Sequence, residues 1–214
     1  MMTTLENQYA PAKPPPEGAV TYEQFLEWLD ENTQAEWVEG EIRPMSAVSA
    51  QHQDITGFLG ALLRLYAEEH ASGLVLAAPF QMRLSRIRRG RTPDLMFIAK
   101  EHLTQLKPSF LDGGADCVIE IASPDSALRD RGEKYAEYEA SGVREYWILD
   151  PEAKRADFFV LDVDKRYTRA TPDAEGRYQS AVLPGFWIKV AWLWQSFLPP
   201  VRQVLKEWAD GADA

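Results

Sequence analysis

Apolar residues at Ile55, Phe58, Leu59, Leu62, Leu63 and Tyr66 repeat at three- and four-residue steps. That spacing lines one side of a helix and predicts one that opens after Ser49 and is stopped by Gly73. A shorter stripe, Phe25, Leu26 and Leu29, follows the capping pattern Thr21-Tyr22-Glu23-Gln24 and predicts a helix to about Glu31. Elsewhere the pattern is that of strands. Ala35–Pro44 reads as a hairpin turning at Glu39-Gly40, and Leu74–Leu84 as a strand broken at Pro79. Leu95–Ala99, Cys117–Ile121 and Glu145–Leu149 are apolar without alternation, as strands covered on both faces are. Between the last two, residues from about Ala127 to Ser141 read as a helix stopped by Gly142. Shorter strands at Ala156–Val163, Tyr167–Ala170, Tyr178–Val182 and Trp187–Val190 follow, joined by Asp, Gly and Pro turns, with helical material at Trp192–Phe197 and Val201–Ala209.

Strand, helix and strand in succession through 117–149 imply an α/β fold: a central mixed sheet flanked by helices, with an N-terminal hairpin and extra C-terminal strands. Residues 1–20, rich in proline, read as a mobile lead-in, and residues 21–214 as one domain.

Composition narrows the function classes. The formal net charge is −10, from 33 acidic and 23 basic residues, which argues against a chain that coats nucleic acid through bulk charge, though a local basic patch can still meet phosphates. The single cysteine, Cys117, falls in a buried strand, so neither a disulfide framework nor a cysteine zinc site is expected. No apolar run is long enough to span a membrane and the N-terminus lacks the features of a signal peptide, so a cytoplasmic location is expected.

Candidate chemistry gathers around Glu120, a carboxylate inside an apolar strand. Burying it unpaired costs several kcal/mol, so it is protonated, paired with a cation, or holds a metal at the strand's open end. Asp94 starts what should be a neighbouring strand, and two converging carboxylates suit Mg²⁺ or Mn²⁺. On the following helix Asp130, Lys134 and Tyr138 share a face, so Lys134 either points back to the acids or simply pairs with Asp130. Arg86, Arg88, Arg89 and Arg91 form a basic run just before Asp94, readable as a solvated loop or as DNA phosphate contacts. Glu36 reads as a solvating hairpin charge or a functional acid, and His52 as a capping or packing residue or a catalytic one. Trp37, Trp192 and Trp194 offer apolar surface that a homodimer could use.

Pro93-Asp94 followed by Glu120 resembles the PD-(D/E)XK restriction-endonuclease-like nucleases. The longer string is more specific: Ile119-Glu-Ile-Ala-Ser-Pro-Asp-Ser126, then Asp130, Lys134 and Tyr138, then Gly142-Val-Arg-Glu-Tyr-Trp-Ile-Leu-Asp-Pro151. It resembles the Uma-two family of endonucleases, as do Glu36-Trp-Val-Glu-Gly-Glu-Ile42, His52 and Leu183-Pro-Gly-Phe186, over roughly Thr21 to Trp194. The resemblance implies a restriction-endonuclease-like fold and Mg²⁺- or Mn²⁺-dependent hydrolysis of DNA. It makes Asp94 and Glu120 metal ligands, Lys134 the catalytic lysine and Glu36 a supporting acid. The superfamily pattern has a lysine two residues after the acid, whereas this chain has Ala122, so the resemblance implies that Lys134 serves from the helix. The competing expectation is the same fold acting only as a protein-binding or nucleic-acid-binding module.

Overall fold

The computed structural model describes residues 14–30, 33–123 and 126–212. The first thirteen residues of the lead-in, the expected helix end at Glu31, and Pro124 and Asp125 of the family string lie outside them. From Pro14 the lead-in is anchored: the Trp28 indole donates to the Pro14 carbonyl at 2.9 Å, and Val20 is buried.

Thr21 caps the first helix, α1 (Tyr22–Trp28), through the expected capping box. The hairpin β1 (Ala35–Val38) and β2 (Glu41–Pro44) turns at Glu39 and Gly40, which take φ of 53° and 102°. Positive φ at both turn positions matches the twist of the paired strands, and glycine adopts it without strain. Ser49 caps α2 (Ala50–Glu69) by accepting from the His52 amide. Then come β3 (Gly73–Ala77), β4 (Gln81–Leu84), β5 (Arg89–Arg91), β6 (Leu95–Ala99), β7 (Phe110–Asp112) and β8 (Cys117–Ile121). The expected single helix after β8 is α3 (Ala127–Arg129), a π-helical turn at Asp130–Lys134, and α4 (Tyr135–Ala140). Strands β9 (Glu145–Asp150), β10 (Arg155–Leu161), β11 (Tyr167–Ala170), β12 (Arg177–Gln179) and β13 (Trp187–Lys189) precede α5 (Val201–Ala212).

Two larger sheets form where one central sheet was expected. Six strands run β11-β10-β9-β8-β6-β3, mixed because β8 and β9 are parallel while β6 pairs β8 antiparallel. Five short strands make β2-β1-β5-β4-β7. The break at Pro79 separates β3 and β4, which belong to different sheets. The basic run 86–91 is therefore not one loop, since its last three residues are strand.

Period two sorts the six-stranded sheet into faces. Leu95, Phe97, Ile119, Ile121, Trp147 and Leu149 pack with the buried stripe of α2. Met96, Ile98, Val118, Tyr146 and Ile148 pack with Tyr138 and the β4 side. Both faces are covered, as the unalternating apolar runs predict. Trp37 and Trp192 are spent in this packing, each 6% exposed, so neither supplies the apolar dimer surface expected of them. Among the described residues, no helix is long and apolar enough to cross a membrane.

Candidate active site

Leu95 pairs with Ile119, so the register carried one step further sets Asp94 opposite Glu120. Both are even-numbered in their strands and share the face of Met96 and Val118, towards the helix that carries Lys134 and Tyr138. Asp94 is 7% exposed and Glu120 4%.

Each acid is oriented through one oxygen. Asp94 Oδ2 accepts from the Ile121 amide at 2.7 Å and lies 3.1 Å from His52 Nε2. Glu120 Oε1 accepts from Lys134 Nζ at 2.8 Å and from the Tyr138 hydroxyl at 2.7 Å. Among the described residues no hydrogen bond reaches Asp94 Oδ1 or Glu120 Oε2.

Lys134 is 3% exposed and faces three acids: Glu120, Asp130 Oδ1 at 3.4 Å and Glu36 Oε1 at 3.5 Å. The π turn that begins at Asp130 and ends at Lys134 directs both side chains inward, a local widening common at functional positions. Burial alone would lower the lysine's pKa, but these carboxylates outweigh it and hold the ammonium above its ordinary value. Burial pushes the Glu120 carboxyl up to about 8, with Lys134 pulling against it and Asp130 and Asp94 adding to it. Burial also acts to raise Glu36, but Lys134 and Arg91 together keep it below the usual carboxylate value. Tyr138 is held well above the usual tyrosine value by burial and by Glu120, so it stays a donor. Two buried oxygens beside the ammonium, Glu36 Oε1 and Asp130 Oδ1, make no hydrogen bond. Both are nonetheless within ion-pair distance of it.

The expected residues thus divide. Asp94, Glu120, Lys134 and Glu36 meet in one buried cluster. Ala122 is itself buried, and the cation missing from its position arrives on the helix as Lys134. His52, read as capping or packing, touches Asp94 from α2; its contact spans 42 residues, and no local pattern announces it. The basic run divides too. Arg86 and Arg88 are exposed, whereas Arg89 binds Glu39 and Glu137. Arg91 is a correction: it is fully buried and donates to Glu36 at 2.7 Å, Glu133 at 2.9 Å and Glu137 at 2.7 and 2.8 Å, so it ties β1 to the helix instead of facing DNA. A separate cleft of about 510 Å³, lined by His102, Asp116 and Arg144 among others, lies at the other end of β8 and contains none of these acids.

A mixed sheet with two acids at facing strand ends and a lysine against one of them is the frame of a nuclease-like protein. The Uma2 family profile, described as "Putative restriction endonuclease", matches residues 22–191, and the chain belongs to that family. The crystal structure of "a putative nuclease belonging to DUF820" from Anabaena variabilis ATCC 29413 superposes with a TM-score of 0.68 at 14% identity, covering 82% of this chain and 97% of that one, and so shares the fold. "Uncharacterized protein sll1609" of Synechocystis sp. is 23% identical over 156 residues, 69% of this chain and 84% of that protein.

Proposed function

We propose that the protein is a divalent-metal-dependent nuclease that hydrolyses phosphodiester bonds of DNA, with Asp94 and Glu120 holding the metal. What carries this reading is the facing pair of carboxylates, each with one oxygen oriented by the protein and the other open, and a lysine ammonium 2.8 Å from one of them. The pair fits Mg²⁺ or Mn²⁺, since Mg²⁺ commonly takes only one or two protein carboxylates and completes its shell with water and phosphate oxygens. Bound there, the ion would supply positive charge to a phosphate oxygen and acidify a water.

The chain's own residues do the rest. His52 and the Ile121 amide fix Asp94 by Oδ2 and leave Oδ1 outward, while Tyr138 and Lys134 fix Glu120 by Oε1. Lys134 stays protonated among its acids and offsets negative charge that grows on the phosphate. Glu36, ionised and braced by Arg91, keeps that ammonium in place. Water adds across the bond to the 3′-oxygen, leaving a 5′-phosphate and a 3′-hydroxyl.

Nicking of supercoiled plasmid with Mg²⁺ or Mn²⁺ tests this. Cleavage should disappear with EDTA and with Asp94→Asn or Glu120→Gln; cleavage that survives both substitutions would sink the assignment. A non-catalytic binding module is the second reading. It is favoured by one observation: among the described residues no three His, Cys, Asp or Glu side chains converge as a metal site. DNA binding without cleavage, and without Mn²⁺ uptake that depends on Glu120, would select it. Pairing of two copies to cut both strands belongs to the nuclease reading and is read out by the particle mass in solution.

A further inference from the structure

Arg129 ends α3, one residue before Asp130 of the lysine cluster. Leu128 on one side is 89% exposed and Asp130 on the other is 1% exposed, so Arg129 stands where the chain passes from solvent into the acid site. Its Nε is buried and has no hydrogen-bond partner, and among the described residues no carboxylate lies within ion-pair distance of it.

Neighbouring arginines are treated differently. Arg43 binds Glu133, Arg91 binds Glu36, Glu133 and Glu137, and Arg131, two residues on, binds Asp150 and Asp157. In a chain of 33 acids, scarcity of partners does not explain the gap. Arg129 is also close enough to the cluster for its charge to help hold the Glu36 carboxyl low. A buried guanidinium nitrogen without an acceptor is costly, and a planar fork of donors beside a cluster that handles phosphate matches the two oxygens of a phosphodiester.

We infer that Arg129 binds a backbone phosphate of the DNA substrate next to the bond that is cut. The assignment rests on the nuclease reading. It moves the main phosphate contact from the run at 86–91, where Arg89 and Arg91 are committed to acids, to the mouth of the site.

The test compares wild type, Arg129→Ala and Arg129→Lys for plasmid cleavage and for binding of a labelled DNA duplex across a salt series. Arg129→Ala should raise KM about tenfold with a smaller change in kcat, and should lower the slope of log affinity against log salt by about 0.9, the share of one phosphate contact. Arg129→Lys should restore the slope but only part of the affinity, because lysine keeps the charge and loses the fork. The melting temperature should move little, since among the described residues no hydrogen bond or ion pair of Arg129 is removed; a purely structural arginine would shift melting and leave the salt slope alone. If wild type cuts DNA and Arg129→Ala keeps the same KM and slope, the arginine assignment alone is overturned. If wild type neither binds nor cuts DNA, the nuclease reading falls and takes this one with it.

Discussion

Glu120 and Glu145 are both buried glutamates in the apolar strands β8 and β9, and they meet opposite fates. Glu145 is fully buried and accepts from the Trp147 indole and the Tyr178 hydroxyl at 2.7 Å, from Ser180 Oγ at 2.8 Å, and from the Ala181 and Val182 amides at 2.9 Å each. Uncharged donors satisfy both its oxygens and fasten the segment after β12 to the sheet. Glu120, at the other end of the same parallel ladder, has one oxygen held by a lysine and a tyrosine and the other open. Burial of a carboxylate is therefore not the functional signal in this fold. Under the proposed nuclease reading, the signal is incomplete satisfaction next to a cation that other acids also claim.

Removing each acid should separate the two roles. Glu145→Ala removes the acceptor of five donors, three of them buried side chains, and should cost about 5 kcal/mol in urea unfolding, enough to threaten folding altogether. A loss under about 1 kcal/mol would show that the segment after β12 is held by its aromatic packing instead. Glu120→Gln keeps the shape and an acceptor for Lys134 and Tyr138, so at pH 5, where the native carboxyl holds its proton, stability should change by no more than about 1 kcal/mol. Plasmid cleavage should fall by about a thousandfold, the worth of several kcal/mol of charge stabilisation. If Glu120→Gln unfolds as Glu145→Ala does, the contrast disappears.

The sequence carried what depends on local period. The α2 stripe, the hairpin turn and the doubly covered strands are visible because burial recurs every two or three to four residues. Lys134 is visible because Asp130 stands four residues before it. The five-stranded sheet is not, since β5 and β7 have three residues each and Arg89-Gly90-Arg91 reads as a charged loop. Arg91 is buried only because Glu36 and Glu137 reach it from 55 and 46 residues away. His52 stood out only through the family resemblance and Arg129 not at all, for the same reason: what defines them is a contact, or the want of one, that no spacing encodes.

Lys134 sharpens the comparison from the cation's side. Lys134→Met leaves Glu120, Asp130 and Glu36 without their shared charge and should cost about 3 kcal/mol at pH 7 and more above about pH 8, where wild-type Glu120 is ionised and leans on the ammonium. Equal loss at all pH values would mean that the lysine acts through packing alone. A smaller effect comes from proton linkage in the metal-free protein. Native Glu120 keeps its proton to about pH 8, whereas an unfolded glutamate loses it near 4.5. Between those values the native state binds more protons than the unfolded one, so this residue's contribution falls as the pH rises, by at most about 1.4 kcal/mol per unit. Relative to wild type, Glu120→Gln should therefore gain stability from about pH 5 to pH 8, by about 3 kcal/mol in all, as measured by urea midpoints. A difference that stays flat across that range would place the Glu120 carboxyl at its ordinary value.

Tyr138→Phe is the mildest test and isolates orientation from charge. It removes one donor to Glu120 Oε1, leaves Lys134 on the same oxygen, and exposes no new unpaired hydroxyl. The stability cost should be about 1 kcal/mol, the net worth of one hydrogen bond. If the tyrosine's role is to keep Oε2 turned outward, Mn²⁺ affinity should weaken by about tenfold, as it does when an outer partner of a metal-binding carboxylate is lost. Stability reduced with Mn²⁺ affinity intact would mean that Lys134 alone fixes the carboxylate. Tyr138 would then belong with Tyr178 at Glu145, as a donor that fills a buried acceptor and takes no part in what the acid does.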